Sequence, residues 1–168
     1  MQMSTIEIAD QDLAALTHEL GLQEQTCTYA TVTFSLWYRF LRSVRALLLS
    51  AQLAFGALAV WKVLSRDLGW GTVIFVVLAA MISPLLSAMR IADEIAAAKA
   101  AGAEFSALRD RFRRAASIQS LRSREELDRA AEPLFIRLER ARAETTAPPE
   151  LFYSVAIRRV RKGRYRSD

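Results

Sequence analysis

One cysteine and one histidine in 168 residues leave little from which to build a reactive centre. Cys27 has no second thiol for an internal disulfide, and His18 has no ligand cluster around it in the sequence. HExxH, paired cysteines and a Gly-rich phosphate loop are all missing, so neither metal, dithiol nor nucleotide-loop chemistry has a motif to carry it. Acidic pairs do occur, but Asp93 with Glu94 and Glu125 with Glu126 are adjacent rather than facing. They read as solvated helix surface and as first-turn partners of the helix dipole. His18 reads as a polar residue on a surface helix and Cys27 as a small packing residue. No cofactor and no enzymatic activity are expected.

Positive charge is missing from one end. No Lys or Arg precedes Arg39, while Glu7, Asp10, Asp12, Glu19 and Glu24 give this arm a charge of −5. The remainder carries 23 basic and 13 acidic residues, for a net +10. An acidic start is the opposite of a secretory n-region, and the first apolar run begins too late to be a cleaved leader, so that run is expected to stay as an anchor.

Against these absences stands a hydrophobic content of 52% beside 24% charged residues, with a positive mean hydropathy. The two populations are segregated: apolar residues concentrate between Ala46 and Met89, and most charges follow Arg90. A hydrocarbon core of about 30 Å needs roughly 20 helical residues. Val44–Leu64 meets that length with Arg45 and Lys62 only at its ends, where long side chains snorkel to the headgroups. Gly71–Met89 contains no ionisable group and is stopped by Arg90. Trp61 and Trp70 fall near the same end of the two runs, as interfacial indoles do. The Ser65–Trp70 turn is so short that the spans must be antiparallel neighbours. The fold class is therefore an all-α membrane protein, an antiparallel two-helix transmembrane hairpin with a cytoplasmic helical bundle. Burying both runs inside a soluble fold would need a jacket of apolar helices that the Arg-rich remainder does not supply.

Orientation follows from the basic residues flanking the spans. Arg39, Arg42 and Arg45 precede the hairpin and Arg90, Lys99 and Arg109 follow it, against Lys62 and Arg66 in the turn, which puts both termini in the cytoplasm. Four segments result: an acidic helical arm (1–43), the hairpin (44–89), a helical stalk or bundle (90–146), and a basic helix with its tail (147–168). In the arm, Leu13, Leu16 and Leu20 keep helical spacing, Asp10 is placed to cap and Gly21 to stop the helix. Thr26, Thr28, Thr31 and Thr33 raise strand propensity, yet Tyr29, Val32, Leu36 and Phe40 fit one helical face, and a lone strand would have no partner.

After Met89 the second span is expected to continue as a stalk, since Ile91, Ile95, Ala98, Gly102, Phe105, Leu108, Phe112 and Ala115 step by three or four. Ser123 with Glu126 forms a capping box for a helix marked by Leu127, Ala131, Leu134, Leu138 and Ala141, in spite of Pro133. After Ala147, Pro148 and Pro149 a final helix is expected from Glu150 to about Lys162, with Gly163 as its terminator.

The candidate functional residues lie in the hairpin and the tail. Ala46, Ser50 and Ala54 form an every-fourth-residue stripe on the first span, as do Ala79, Ser83 and Ser87 on the second, and stripes of this kind let backbones approach closely. Gly56 adds a further small residue. Gln52 is the most polar mid-span residue, and Pro84, following Ser83, frees a backbone carbonyl. Such groups line a water path or a subunit contact, or else serve plain hairpin packing. In the tail, Arg158, Arg159, Arg161, Lys162, Arg164 and Arg166 form a basic cluster suited first to anionic lipid, next to solvent or a subunit contact, and last to a nucleotide or nucleic acid.

The order of parts resembles the SLATT family, small bacterial proteins with a two-helix transmembrane hairpin followed by a cytoplasmic helical region. Leu36-Trp37-Tyr38-Arg39, the Arg42/Arg45 spacing, the short interhelical turn, Pro149-x-Leu151 and Ala156 carry the resemblance from about Cys27 onward. It implies an effector of a bacterial conflict or antiphage system that perforates or depolarises the inner membrane once a partner senses infection, and self-association of the chain is the expected route to such a path. Implied partners are nucleotide second-messenger synthases, SLOG-type nucleotide sensors or reverse transcriptases. No ligand-binding residue is carried over. The rival expectation is a membrane-tethered helical adaptor that docks a cytoplasmic partner through its helices and uses the hairpin only as an anchor.

Overall fold

The computed structural model describes residues 3–65, 69–118 and 124–162, and among them every regular element is an α-helix. In chain order these are α1 (Met3–Leu64), α2 (Trp70–Ala88), α3 (Ile91–Ile118), α4 (Arg124–Glu144) and α5 (Glu150–Arg161). Ser123 and Gly163, expected to cap α4 and to end α5, lie outside the described residues.

α1 is one helix of 62 residues, so Gly21 does not stop it and Asp10 lies within it rather than at its start. A glycine inside a helix costs about 1 kcal/mol relative to alanine. Packing outweighs this here, because Leu20 and Cys27 on either side of Gly21 are both completely buried. The threonines that favour a strand are accommodated in the same way. Thr26, Thr28, Thr31 and Thr33 each donate Oγ1–H to the carbonyl four residues earlier, at 2.8–2.9 Å. This bond satisfies the hydroxyls of Thr31 and Thr33 inside the fold and removes the desolvation cost that would otherwise disfavour a helix.

The chain divides into two units. The first joins Met1–Trp37 to Ala98–Asp168, segments far apart in sequence. Its core gathers Leu20, Cys27 and Phe34 from α1, Phe105, Leu108, Phe112 and Ala115 from α3, and Leu127, Ala131, Leu138 and Ala141 from α4. Phe34 stacks on Phe105 with ring centroids 5.6 Å apart, and Phe112 meets Phe135 at 5.7 Å. α5 is docked by its completely buried Ala156 and by Phe152, whose ring lies edge-on to Trp37 at 5.0 Å. Glu104 accepts two hydrogen bonds from the Arg137 guanidinium, which hold its carboxyl below the usual carboxylate range. Both side chains are over a third exposed, so solvent screens the pair and it contributes little to stability.

The second unit, Tyr38–Ala97, holds the hairpin. Contrary to the expected continuous stalk, α2 ends at Ala88 and α3 starts at Ile91. Arg90 sits between them at φ 48°, the one described non-glycine residue with positive φ. Its N–H closes on the Ser87 carbonyl at 3.1 Å, while its own carbonyl accepts from Asp93 and Glu94 at 3.0 and 3.1 Å. Arg90 thereby ends one helix and begins the next, and its guanidinium reaches Asp93 at 2.9 Å. The left-handed region costs an L-residue about 1–2 kcal/mol that glycine is spared. Arg90→Gly is therefore expected to raise stability by up to about 1 kcal/mol, read as a higher melting temperature of the detergent-solubilised chain. A lower one would mean that the Arg90–Asp93 pair outweighs the strain.

Candidate functional site: the apolar hairpin

Two helices of the chain, α2 and the second half of α1, are long and apolar enough to cross a membrane. Only 6% of each apolar window is buried, whereas a core helix of a soluble protein is mostly buried. Leu47, Leu53, Val60, Trp61 and Leu64 of α1 face outward, as do Val73, Ile74, Val76 and Met81 of α2. Surfaces this apolar match hydrocarbon and are costly in water. Trp61 and Trp70, both largely exposed, flank the turn end.

Within the second unit Leu41 and Ala59 of α1 and Thr72 and Ile82 of α2 are buried. Phe55 and Phe75 stack nearly parallel within it, ring centroids 6.2 Å apart. Gln52 and Ser83 meet at mid-span: the Gln52 amide Nε2–H donates to Ser83 Oγ at 2.9 Å, and the Ser83 hydroxyl donates to Gln52 Oε1 at 3.2 Å. Two polar residues that lie in separate apolar runs of the sequence are thus brought together. Gly56 and Ala79 are half-buried, whereas Ser50, Ala54, Ser83, Pro84 and Ser87 are exposed. All three residues of the Ala46, Ser50 and Ala54 stripe are therefore uncovered within the single chain. Spacing reveals that a small-residue face exists, while which neighbour it meets is a tertiary fact.

In the tail, Arg158, Arg159, Arg161 and Lys162 all project outward from the end of α5. Arg164 and Arg166 lie outside the described residues. His18 is exposed. Cys27 is the opposite: fully buried, with burial pushing its thiol up to about 11 against the opposing fields of Arg142 and Arg109. A thiol whose pKa rises on folding is protonated in both states below about pH 9. Its contribution to the fold is therefore intact there and is lost as pH climbs from 9 towards 11. Two units of pKa leave about a hundredfold less thiolate at neutral pH. Alkylation by maleimide at pH 7.5 is accordingly expected to be at least about a hundredfold slower in the folded chain than in denaturant; equal rates would contradict the burial.

No family model, curated protein or solved structure matches the chain.

Proposed function

We propose that the chain is a membrane effector of a bacterial conflict system. In this reading α2 and the second half of α1 cross the inner membrane, with both termini in the cytoplasm. On activation, copies associate through the hairpin and open a disruptive or conducting path. The partner that triggers them is a second-messenger synthase, a nucleotide sensor or a reverse transcriptase, as the SLATT resemblance implies. The observation that carries this reading is the Gln52–Ser83 pair. A primary amide offers two donors and an acceptor with two lone pairs, and this pair uses one donor and one acceptor position. Ser83 is exposed and Gln52 only half-buried, so the remaining capacity is available to water or to a second copy.

The test is membrane potential, followed with a voltage-sensitive dye after induced expression. The unaltered chain is expected to depolarise cells. Gln52→Leu and Ser83→Leu should each blunt the effect at equal protein level. One interhelical hydrogen bond in a membrane is worth about 0.6–1.7 kcal/mol, which is roughly a 3- to 18-fold weaker association per protomer. Toxicity with an intact potential would count against the proposal.

The closure of the same pair within one hairpin favours a second reading, in which the hairpin is a self-satisfied anchor and the cytoplasmic helices dock a protein. Exchange of both spans for an unrelated hairpin separates the two, since a tether keeps its function and a membrane-active hairpin loses it.

A further inference from the structure

α5 shows two unlike sides. Phe152 and Ala156, four residues apart and so on one face, are spent on the first unit's interior: Ala156 is completely buried and Phe152 meets Trp37. The other face runs through Leu151, Ser154, Arg158 and Lys162, spaced by three or four residues, with Arg161 beside them, and all are exposed. Leu151 is 75% exposed at the N-terminal end, and Tyr153 stands uncovered in the next turn. After Glu150 the helix carries no acidic residue, while Arg158, Arg159, Arg161 and Lys162 fill its last turn and cap. One or two cations there would answer the helix dipole. Four cations, together with a bare leucine at the other end of the same face, are more than the dipole requires.

We infer that the outer face of α5 is a contact surface for an anionic lipid bilayer, with Leu151 entering the headgroup–acyl boundary while Arg158, Arg161 and Lys162 meet lipid phosphates. The leucine at one end of the face supplies an apolar contact and the cations at the other supply charge for lipid phosphates, the two kinds of contact such a surface offers. The inference rests on the membrane part of the proposed function and not on depolarising activity. It adds that the cytoplasmic helices have a lipid ligand of their own.

The experiment uses the full chain carrying Cys27→Ser and Leu151→Cys, labelled with an environment-sensitive fluorophore and reconstituted into vesicles. One set is neutral phosphatidylcholine and the other contains about a third phosphatidylglycerol. Flotation first establishes that the chain is incorporated equally in both. A blue shift in the anionic vesicles alone is expected, reversed by high salt and unaffected by millimolar inorganic phosphate. Each basic residue near an anionic surface contributes roughly a fivefold factor, so Arg158→Gln, Arg161→Gln and Lys162→Gln together should weaken the contact about a hundredfold and abolish the shift. Glutamine is a good helix former, and these positions are exposed, so the variant folds. Equal emission in the two lipids, a shift that survives the triple substitution, or reversal by free phosphate or an RNA oligonucleotide would overturn the inference. Equal flotation in those cases would leave the membrane reading standing, whereas failure to float would count against that reading instead.

Discussion

Phe112→Ala is expected to destabilise the first unit by about 3–5 kcal/mol, the usual range for removing a fully buried aromatic ring. Phe112 has no exposed surface and is the largest completely buried side chain described. Its ring lies 5.7 Å from that of Phe135, inclined by 60°, and the surrounding cluster draws Leu108 from its own helix and Leu127 and Leu138 from α4. Few of these neighbours can follow the backbone into the space left behind, since three helices meet there. Natural domains are stable by only about 5–15 kcal/mol, so a loss of this size removes a large share of the margin. Limited proteolysis of membrane vesicles should then cut α3 and α4 rapidly, while the hairpin fragment remains with the membrane. Phe112→Leu, which keeps most of the volume, should cost far less. If the alanine variant resisted protease like the parent, Phe112 would not be a core residue.

That core was largely written into the spacing of apolar residues. Of the residues spaced along one face, Ile91, Ala98, Phe105, Leu108, Phe112 and Ala115 of α3 and Leu127, Ala131, Leu138 and Ala141 of α4 are buried, while Ile95, Gly102 and Leu134 are half-buried. Periodicity says which side of a helix turns inward, but it is silent about what lies opposite. Nothing in the acidic arm announces that Leu20, Cys27 and Phe34 meet residues from beyond Ala98. Glu104 and Arg137 are likewise brought together only by the return of α4 along α3. Local stop signals misled for a related reason. Gly21 looked like a terminator, yet burial on both sides of it carries α1 onward. The real break lies at Arg90, an ordinary residue by propensity, held at positive φ by the two helix ends that close on it. In the candidate site the types were legible and the geometry was not. Gln52 and Ser83 stand out as polar residues in apolar runs, but their pairing depends on the register of the hairpin, and nothing in the sequence distinguishes Phe55 and Phe75, which stack between the same two helices, from their many apolar neighbours.

The sharpest test of the hairpin's surroundings compares two leucines that are equally exposed and differ in depth. Leu53 and Leu64 are each 76% exposed on α1, Leu53 near the middle of the first apolar run and Leu64 at its end. In water, arginine at either site would be harmless, because both side chains already face away from the fold and arginine is a good helix former. In a bilayer the two diverge. Arginine at the centre of a span costs about 2.5–3.5 kcal/mol on insertion scales, and loss of the leucine adds about half a kcal/mol. Arginine at the end of a span snorkels to the headgroups at little cost. Leu53→Arg should therefore shift most of the chain out of the carbonate-resistant membrane fraction, by about a hundredfold or more in the insertion equilibrium, while Leu64→Arg remains integrated like the parent. Fractionation of the two variants expressed side by side reads this directly. Equal retention of both would mean that the outward face of α1 does not lie in hydrocarbon, and the membrane-effector proposal would fall with it.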